Sequence, residues 1–319
     1  MALSFSGLNA YTKELVEPLL TSAVIGARTQ QMIMDGGIVL TGVKGPTALP
    51  TMDTDAVFAS QSCSFDASGT TTFSQVVLTP GKIKVEEKIC VKDLETYFTQ
   101  TALKAGSTYE DFSNAQFQEA YLAKKNARIA GQLETAIWQG DSASVTANLN
   151  KFNGFQKIIA AGSPINANVS GYTGVATITT ITGSNVVAAT EGIYKAIPAQ
   201  VMSKGDVKIW VGYDWYRLLI LAYRALNLFS YNPQDVNAQS FVLPGTNIEI
   251  VPVNGLNGTG DAFAISLSNM AIGVDLEAEE NNYKMWYSED NNDVRFRAEF
   301  KVGVQVGFTT ETVKFMAAI

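Results

Sequence analysis

Few residues here could carry acid–base, nucleophilic or metal chemistry. The 319-residue chain contains no histidine, which removes Ser-His and Cys-His nucleophilic pairs, His-ligated zinc and imidazole acid–base catalysis together. Two cysteines, Cys63 and Cys90, are too few for a disulfide framework or an all-cysteine zinc site. Asp275, Glu277, Glu279 and Glu280 could offer oxygens to a hard cation, but closely spaced acids in a polar stretch read better as a solvated face. Asp290, Asn292 and Asp293 resemble a calcium loop, yet Val294 stands where an oxygen ligand belongs and no Gly follows. A hairpin turn accounts for them better. The run Gly255-Leu256-Asn257-Gly258-Thr259-Gly260 has the composition of a phosphate loop without the G-x-G-x-x-G order or the G-K-[ST] ending. Its Asn-Gly pairs favour turns. A nucleophile elbow and a Walker signature are both missing. The sequence therefore assigns no catalytic residue, no cofactor and no metal. An enzyme built on carboxylates or lysine stays open, with nothing to locate it.

Composition points elsewhere. Hydrophobic residues make up 46% of the chain, enough for a sizeable core, while charged residues make up only 17%, against about 25% in typical soluble domains. A surface poor in charge suits extensive subunit contacts, whose centres are depleted of charge. The net charge of −7 argues against a chain whose whole surface binds nucleic acid, because phosphates need clustered Lys and Arg. Glu14, Glu17 and Pro18 interrupt any secretory-signal pattern, and Leu19 to Ala27 is far too short to cross a membrane. Leu15, Leu19, Ala23 and Ala27 recur at helical spacing. That short amphipathic helix either docks on the core or packs on a neighbouring chain.

The remaining elements follow from periodicity and punctuation. Gly36 to Thr54 reads as an extended connection. Val57 to Leu78 alternates loosely around a turn at Ala67-Ser68-Gly69-Thr70, which predicts a long hairpin with little to fill a core. Such a hairpin is marginal alone, so it lies on the rest of the chain or on another copy. Lys82 to Lys92 predicts a strand. Ser113 and Gln116 have capping-box spacing for a helix that runs to Gln139 and stops at Gly140. Val186 to Val201 predicts a helix disturbed by Pro198, and Asp206 to Gly212 a buried strand. Asp214 suits the N-cap of a further helix to about Leu228. Short strands follow at Asn247–Val253 and Ala262–Leu267. Trp210, Trp215 and Trp286 read as core or interface anchors. The alternation is α+β in character.

The clearest signal lies near the C-terminus. From Val294 to Phe308 every even position is apolar, and every odd one is polar or glycine. A period of two over such a length predicts one long strand with one buried face. Tyr283 to Tyr287 supplies its partner through a turn at Asp290-Asn291-Asn292-Asp293.

This order of elements resembles the major capsid proteins of tailed double-stranded DNA phages, the Hong Kong ninety-seven fold. The resemblance rests on a leading arm, an extended hairpin, the strand Lys82–Val91 and the long helix Ser113–Gln139 with Gly140-Asp141. It continues through Lys151-Phe152-Asn153-Gly154-Phe155, the strand Val207–Gly212, Asp214-Trp215 and the return through Asn269–Asp275 to long C-terminal strands. It covers nearly the whole chain but rests on element order, not on a sharp motif.

The resemblance implies an N-terminal arm at 1–50, an extended loop at 51–82, a peripheral domain at 83–183 with 276–319, and an axial domain at 184–275. It implies a structural subunit that assembles into hexamers and pentamers of an icosahedral head. That head would enclose DNA without sequence-specific binding, and assembly would take place in the host bacterial cytoplasm. The implied partners are further copies, a separate scaffold protein, a portal and decoration proteins; no membrane is involved. Within the loop, Phe65, Ser68, Gly69 and Phe73 are expected to contact a neighbouring subunit. Some family members join subunits through a loop lysine and a neighbour's asparagine. Here no Lys or Arg lies between Lys44 and Lys82, so that chemistry is expected to be absent. Two alternatives remain: the shell of a cellular nanocompartment, which uses a similar fold, and an α+β carboxylate enzyme or surface binding protein.

Overall fold

The computed structural model describes residues 28–58, 60–61, 63, 69–90, 115–226, 241–275, 283–288, 290–291 and 293–319. The expected helix over Leu15–Ala27 lies outside them, as do Ser113 of the expected capping box and the chain just beyond Ala225 and Leu226.

In chain order, helix α1 (Arg28–Gly36) leads into strands β1 (Ile38–Thr41), β2 (Thr47–Thr54), β3 (Thr71–Leu78) and β4 (Gly81–Cys90). Helix α2 spans Ala115–Gln139, followed by α3 (Phe155–Ala161), β5 (Ile165–Asn166) and α4 (Ser170–Thr173). Then come α5 (Val186–Ala196), α6 (Ala199–Met202), β6 (Val207–Gly212) and α7 (Tyr213–Ala225). Strands β7 (Phe241–Val242), β8 (Glu249–Val253), β9 (Ala262–Ser266) and β10 (Met270–Asp275) precede β11 (Tyr283–Ser288), β12 (Asp293–Val306) and β13 (Val313–Phe315). The chain is α+β, as its sequence implies.

Strand β12 is the axis of the first sheet. Its first half pairs with β11 and its second half with β10 along one edge, while β4 pairs along the other from Asp293↔Cys90 to Val302↔Gly81. Directly opposed residues point to the same face, so Ile83 and Val85 join Phe300 and Ala298 on one side. The even positions 294–306 are buried, as the alternation requires. Helix α2 covers that face with Leu122, Ile129, Leu133 and Ile137, all buried. Each such side chain contributes about 1.5–3 kcal/mol. Gly140 ends α2 because the chain returns on top of it: a Cβ there would lie 2.5 Å from the Ala136 carbonyl and 2.6 Å from that of Phe152.

The second sheet runs β5-β13-β9-β6-β8-β7, with two-residue strands at its edges. Helices α5 and α7 pack on it through Ile193, Trp215 and Leu219, and Trp215 meets Phe315 edge-on at 5.3 Å. Trp138, on α2, packs on the other face of the second sheet, with ring centroids 5.6 Å from Trp210 and 5.8 Å from Phe263. Its indole N–H donates to Thr29 Oγ1, 2.7 Å away. Thr29 in turn donates its backbone N–H and its hydroxyl to the buried Glu134 carboxylate. Burial pushes the Glu134 carboxyl above its ordinary value, and the Thr29 bonds and nearby Arg28 oppose that shift. Helix α1 is thereby fastened to α2.

Two expectations change. Helix α7 begins at Tyr213 with Gly212 as its N-cap, so Asp214 lies inside the first turn. The turn after β8 occupies the capping site instead. Asn257 Oδ1 accepts the Tyr213 N–H at 2.7 Å, and Asp214 accepts the Gly258 N–H at 3.1 Å. The glycine cluster is a turn, with Gly258 at φ 72°, docked on that helix start. Gly36–Thr54, expected as an extended connection, contains two paired strands: β1, which pairs in parallel with β10, and the whole of β2. Sheet membership does not follow chain order. Strand β10 belongs to the first sheet, while β5 and β13 belong to the second.

The C-terminal end packs across the second sheet through a titratable clasp. Asp261 accepts the Ala317 N–H at 3.2 Å and the Gln156 side-chain amide at 2.8 Å. Burial raises its carboxyl from 3.8 to about 6. A raised carboxyl disfavours the charged folded form, so its contribution is full below about pH 4 and is lost as pH rises through about 6. Asp261→Asn should therefore be more stable than the wild type at pH 7, on the order of 1–2 kcal/mol once solvent screening is allowed for. The two should converge near pH 4. Thermal melts across pH 4–7 check this, and a constant difference would refute it.

Candidate assembly surface

Strands β2 and β3 form a hairpin that pairs with nothing else among the described residues. Its register runs from Thr47↔Leu78 to Thr54↔Thr71, and the Asp55 N–H extends it to the Thr70 carbonyl at 3.0 Å. The expected start of the hairpin at Val57 is therefore corrected, while Ala67 and Ser68 of the expected turn lie outside the described residues. The first strand lies ten residues earlier, and residues 55–70 connect the two. The physical reason is exposure. Thr47, Leu49 and Thr51 are half-buried while Ala48, Pro50 and Met52–Thr54 are exposed; with Leu49 the one apolar residue on the half-buried side, Thr47–Thr54 has no apolar alternation to read, and Pro46 and Pro50 resemble loop punctuation. Backbone pairing and cross-strand hydroxyls hold it together: Thr51 with Ser74 at 2.7 Å and Thr54 with Thr71 at 3.1 Å.

Apolar side chains stand on this hairpin without a core. Phe73 is 77% exposed and its directly opposed partner Met52 is 58% exposed. Phe58, in the connection, is 100% exposed. Phe65 and Ser68 lie outside the described residues; Gly69 and Phe73 are both exposed. Met52 and Phe58 add to this surface, and no periodicity in the sequence marks them. Asp53 and Asp55 beside them are exposed carboxylates.

A second feature has the opposite chemistry. Between α2 and the edge formed by β4 and β12 lies a groove of about 280 Å³. Ile83, Ile129 and Phe300 line it, and Lys84, Lys125, Arg128 and Lys151 surround it with positive charge. Two of these cations are paired, Lys84 with Glu86 at 2.7 Å and Lys125 with Glu87; the Glu87 carboxyl is held below its ordinary value by Lys125 and Tyr121 against the pull of burial.

The acidic positions show no convergence. Asp275 pairs with Lys301 at 3.1 Å, Asp293 with Arg295 at 2.9 Å, and Asp290 is exposed. Glu277, Glu279, Glu280 and Asn292 lie outside the described residues. Among the described residues no group of three metal-ligating side chains comes together, and no helix is long and apolar enough to cross a membrane. Trp210 and Trp215 are core residues, and Trp286 is half-buried on the first sheet.

No protein-family model and no curated protein matches the chain. Solved structures do. A chain of the procapsid of satellite phage P4 is 11% identical with a TM-score of 0.60, covering 94% of this chain and 90% of that one. The capsid of Myoviridae phage XM1 is 10% identical with a TM-score of 0.54, covering 89% and 90%. A virus-like particle from Pyrococcus furiosus is 10% identical with a TM-score of 0.51, covering 93% and 96%. At such identities the likeness concerns the fold: the chain has the Hong Kong ninety-seven-type capsid fold.

Proposed function

We propose that this chain is the major capsid subunit of a tailed double-stranded DNA phage. It assembles into hexamers and pentamers of an icosahedral head. The observation that carries this reading is the hairpin whose outer part is uncovered, on a shell-forming fold. A ribbon that displays Met52, Phe58 and Phe73 to water is stable in function only when another surface covers it. The groove beside α2 offers a complementary one: an apolar floor for the aromatics and a basic rim for Asp53 and Asp55. Phe65, Ser68, Gly69 and Phe73 belong to the contacting loop in this reading. Arm, loop, peripheral and axial regions are its working parts. A scaffold protein, a portal and decoration proteins are its further partners, the virion is its location, and it has no catalytic role.

Expression with the proteins encoded beside it, followed by light scattering and negative-stain microscopy, tests the reading. Closed shells are expected. A chain that stays monomeric under all conditions overturns it and favours a binding protein or enzyme. The Pyrococcus likeness supports a second reading, a nanocompartment shell. Particles that enclose a protein cargo and no DNA when isolated from their native source would favour it.

A further inference from the structure

Among the described residues of the hairpin one side chain is fully buried against the body of the protein, and half-buried Leu49 packs on the same small cluster. Leu78, the last residue of β3, is 0% exposed, whereas most of β3 is in solvent. It lies on the face of the first sheet opposite α2, over Gly273 and Gly303. These two glycines are directly opposed in the β10–β12 register. A Cβ on Gly273 would lie 2.7 Å from Leu78 Cδ2, and a Cβ on Gly303 would lie 3.1 Å from the same atom and 2.9 Å from Pro80 Cα. Two absent side chains thus make one socket, and Val43 and Ala271 complete its wall. From there the chain has two residues, Thr79 and Pro80, before β4 begins.

The polar ties at the hairpin base are compliant. Gln305 Nε2 donates to the Val77 carbonyl at 2.7 Å, and Lys301 Nζ donates to the Lys44 carbonyl at 3.3 Å. Both are long side chains that can follow a tilting ribbon. A leucine between two backbones cannot, because close-packed contacts tolerate little displacement.

We infer that Leu78 in the Gly273–Gly303 socket is the pivot that sets the direction of the hairpin and, through it, the curvature of the shell. The curvature part rests on the capsid reading; the pivot itself does not. With eight residues in β3 and about 3.3 Å of rise per residue, the hairpin tip stands roughly 25 Å from the socket, so a tilt of about 10° moves it by about 4 Å.

Spin-label distance measurements on the soluble protomer test the pivot. The labels sit at Thr72→Cys on the hairpin and Ala127→Cys on α2, in a chain carrying Cys63→Ser and Cys90→Ser. The unaltered socket should give one narrow distance. Gly303→Ala, which fills the socket, should shift it by several Å, about the lever estimate. Leu78→Ala, which empties the socket, should broaden the distribution. If Gly303→Ala does not fold, Leu78→Ala decides alone, since it adds no atom and touches neither main core. Unchanged distributions overturn the pivot. Particle diameters by electron microscopy then test curvature: a changed size distribution in the socket variants is expected. An unchanged distribution alongside shifted distances overturns the curvature part. If the wild type forms no particles at all, the capsid reading falls while the distance result still decides the pivot.

Discussion

Phe300→Asp is expected to abolish soluble folded protein. Phe300 is 5% exposed, mid-strand in β12, opposite Ile83 and beneath α2. The substitution loses about 1.5–3 kcal/mol of burial and places beneath α2 a carboxylate whose desolvation costs several kcal/mol more. Together these rival the roughly 5–15 kcal/mol that holds a typical domain folded. The neighbouring Lys301→Asp is the control, and the structure changes what is expected of it. From alternation alone Lys301 faces away from the core, and its substitution should be nearly silent for folding. In the folded chain it is directly opposed to Asp275 and ion-paired with it at 3.1 Å. The new Asp would set two carboxylates face to face, costing about 1–3 kcal/mol. Lys301→Asp should therefore remain folded with a lowered melting temperature. Soluble yield and thermal melting of the two variants check this, and equal values would refute the assigned buried face.

Replacing Phe58 and Phe73 together with Ser is expected to leave a folded protomer that fails to assemble. Both are exposed in the protomer, so its melting temperature should barely move. If each ring is buried at a contact, the pair is worth about 3–6 kcal/mol per contact, which raises the concentration needed for assembly about 10²–10⁴-fold. The groove gives this a partner test. Arg128→Asp with Lys151→Asp should also block assembly, and adding Asp53→Lys with Asp55→Lys should restore it by exchanging the charges. Light scattering at matched concentrations reads the outcome. Loss of cooperative melting in the Ser variant would place the two rings in the protomer's own core. Failure of the charge exchange would separate the hairpin from this groove.

Much of the fold is legible wherever one face of an element is buried and the other is wet. The period of two from Val294 onward identifies β12 because each even side chain meets α2 or the sheet's inner neighbours. The stripe Leu122, Ile129, Leu133, Ile137 and the stop at Gly140 identify α2 for the same reason. The missing histidine, the scarcity of charge and the absence of lysine between Lys44 and Lys82 are facts of composition that no folding alters. They direct attention to surfaces instead of to a catalytic centre. The first strand of the hairpin carries no periodic signal because its half-buried side presents Thr47, Leu49 and Thr51, with one apolar residue among them, and Pro50 interrupts the exposed side. The groove and the socket are hidden for a further reason. Lys84, Arg128 and Lys151 come from a strand, a helix and a loop, and only chain packing brings them around one apolar floor. Gly273 and Gly303 lie thirty positions apart, and nothing local distinguishes them from turn glycines. Their role exists only because antiparallel register sets one opposite the other, so that two missing side chains coincide and a leucine from a third strand fits between them.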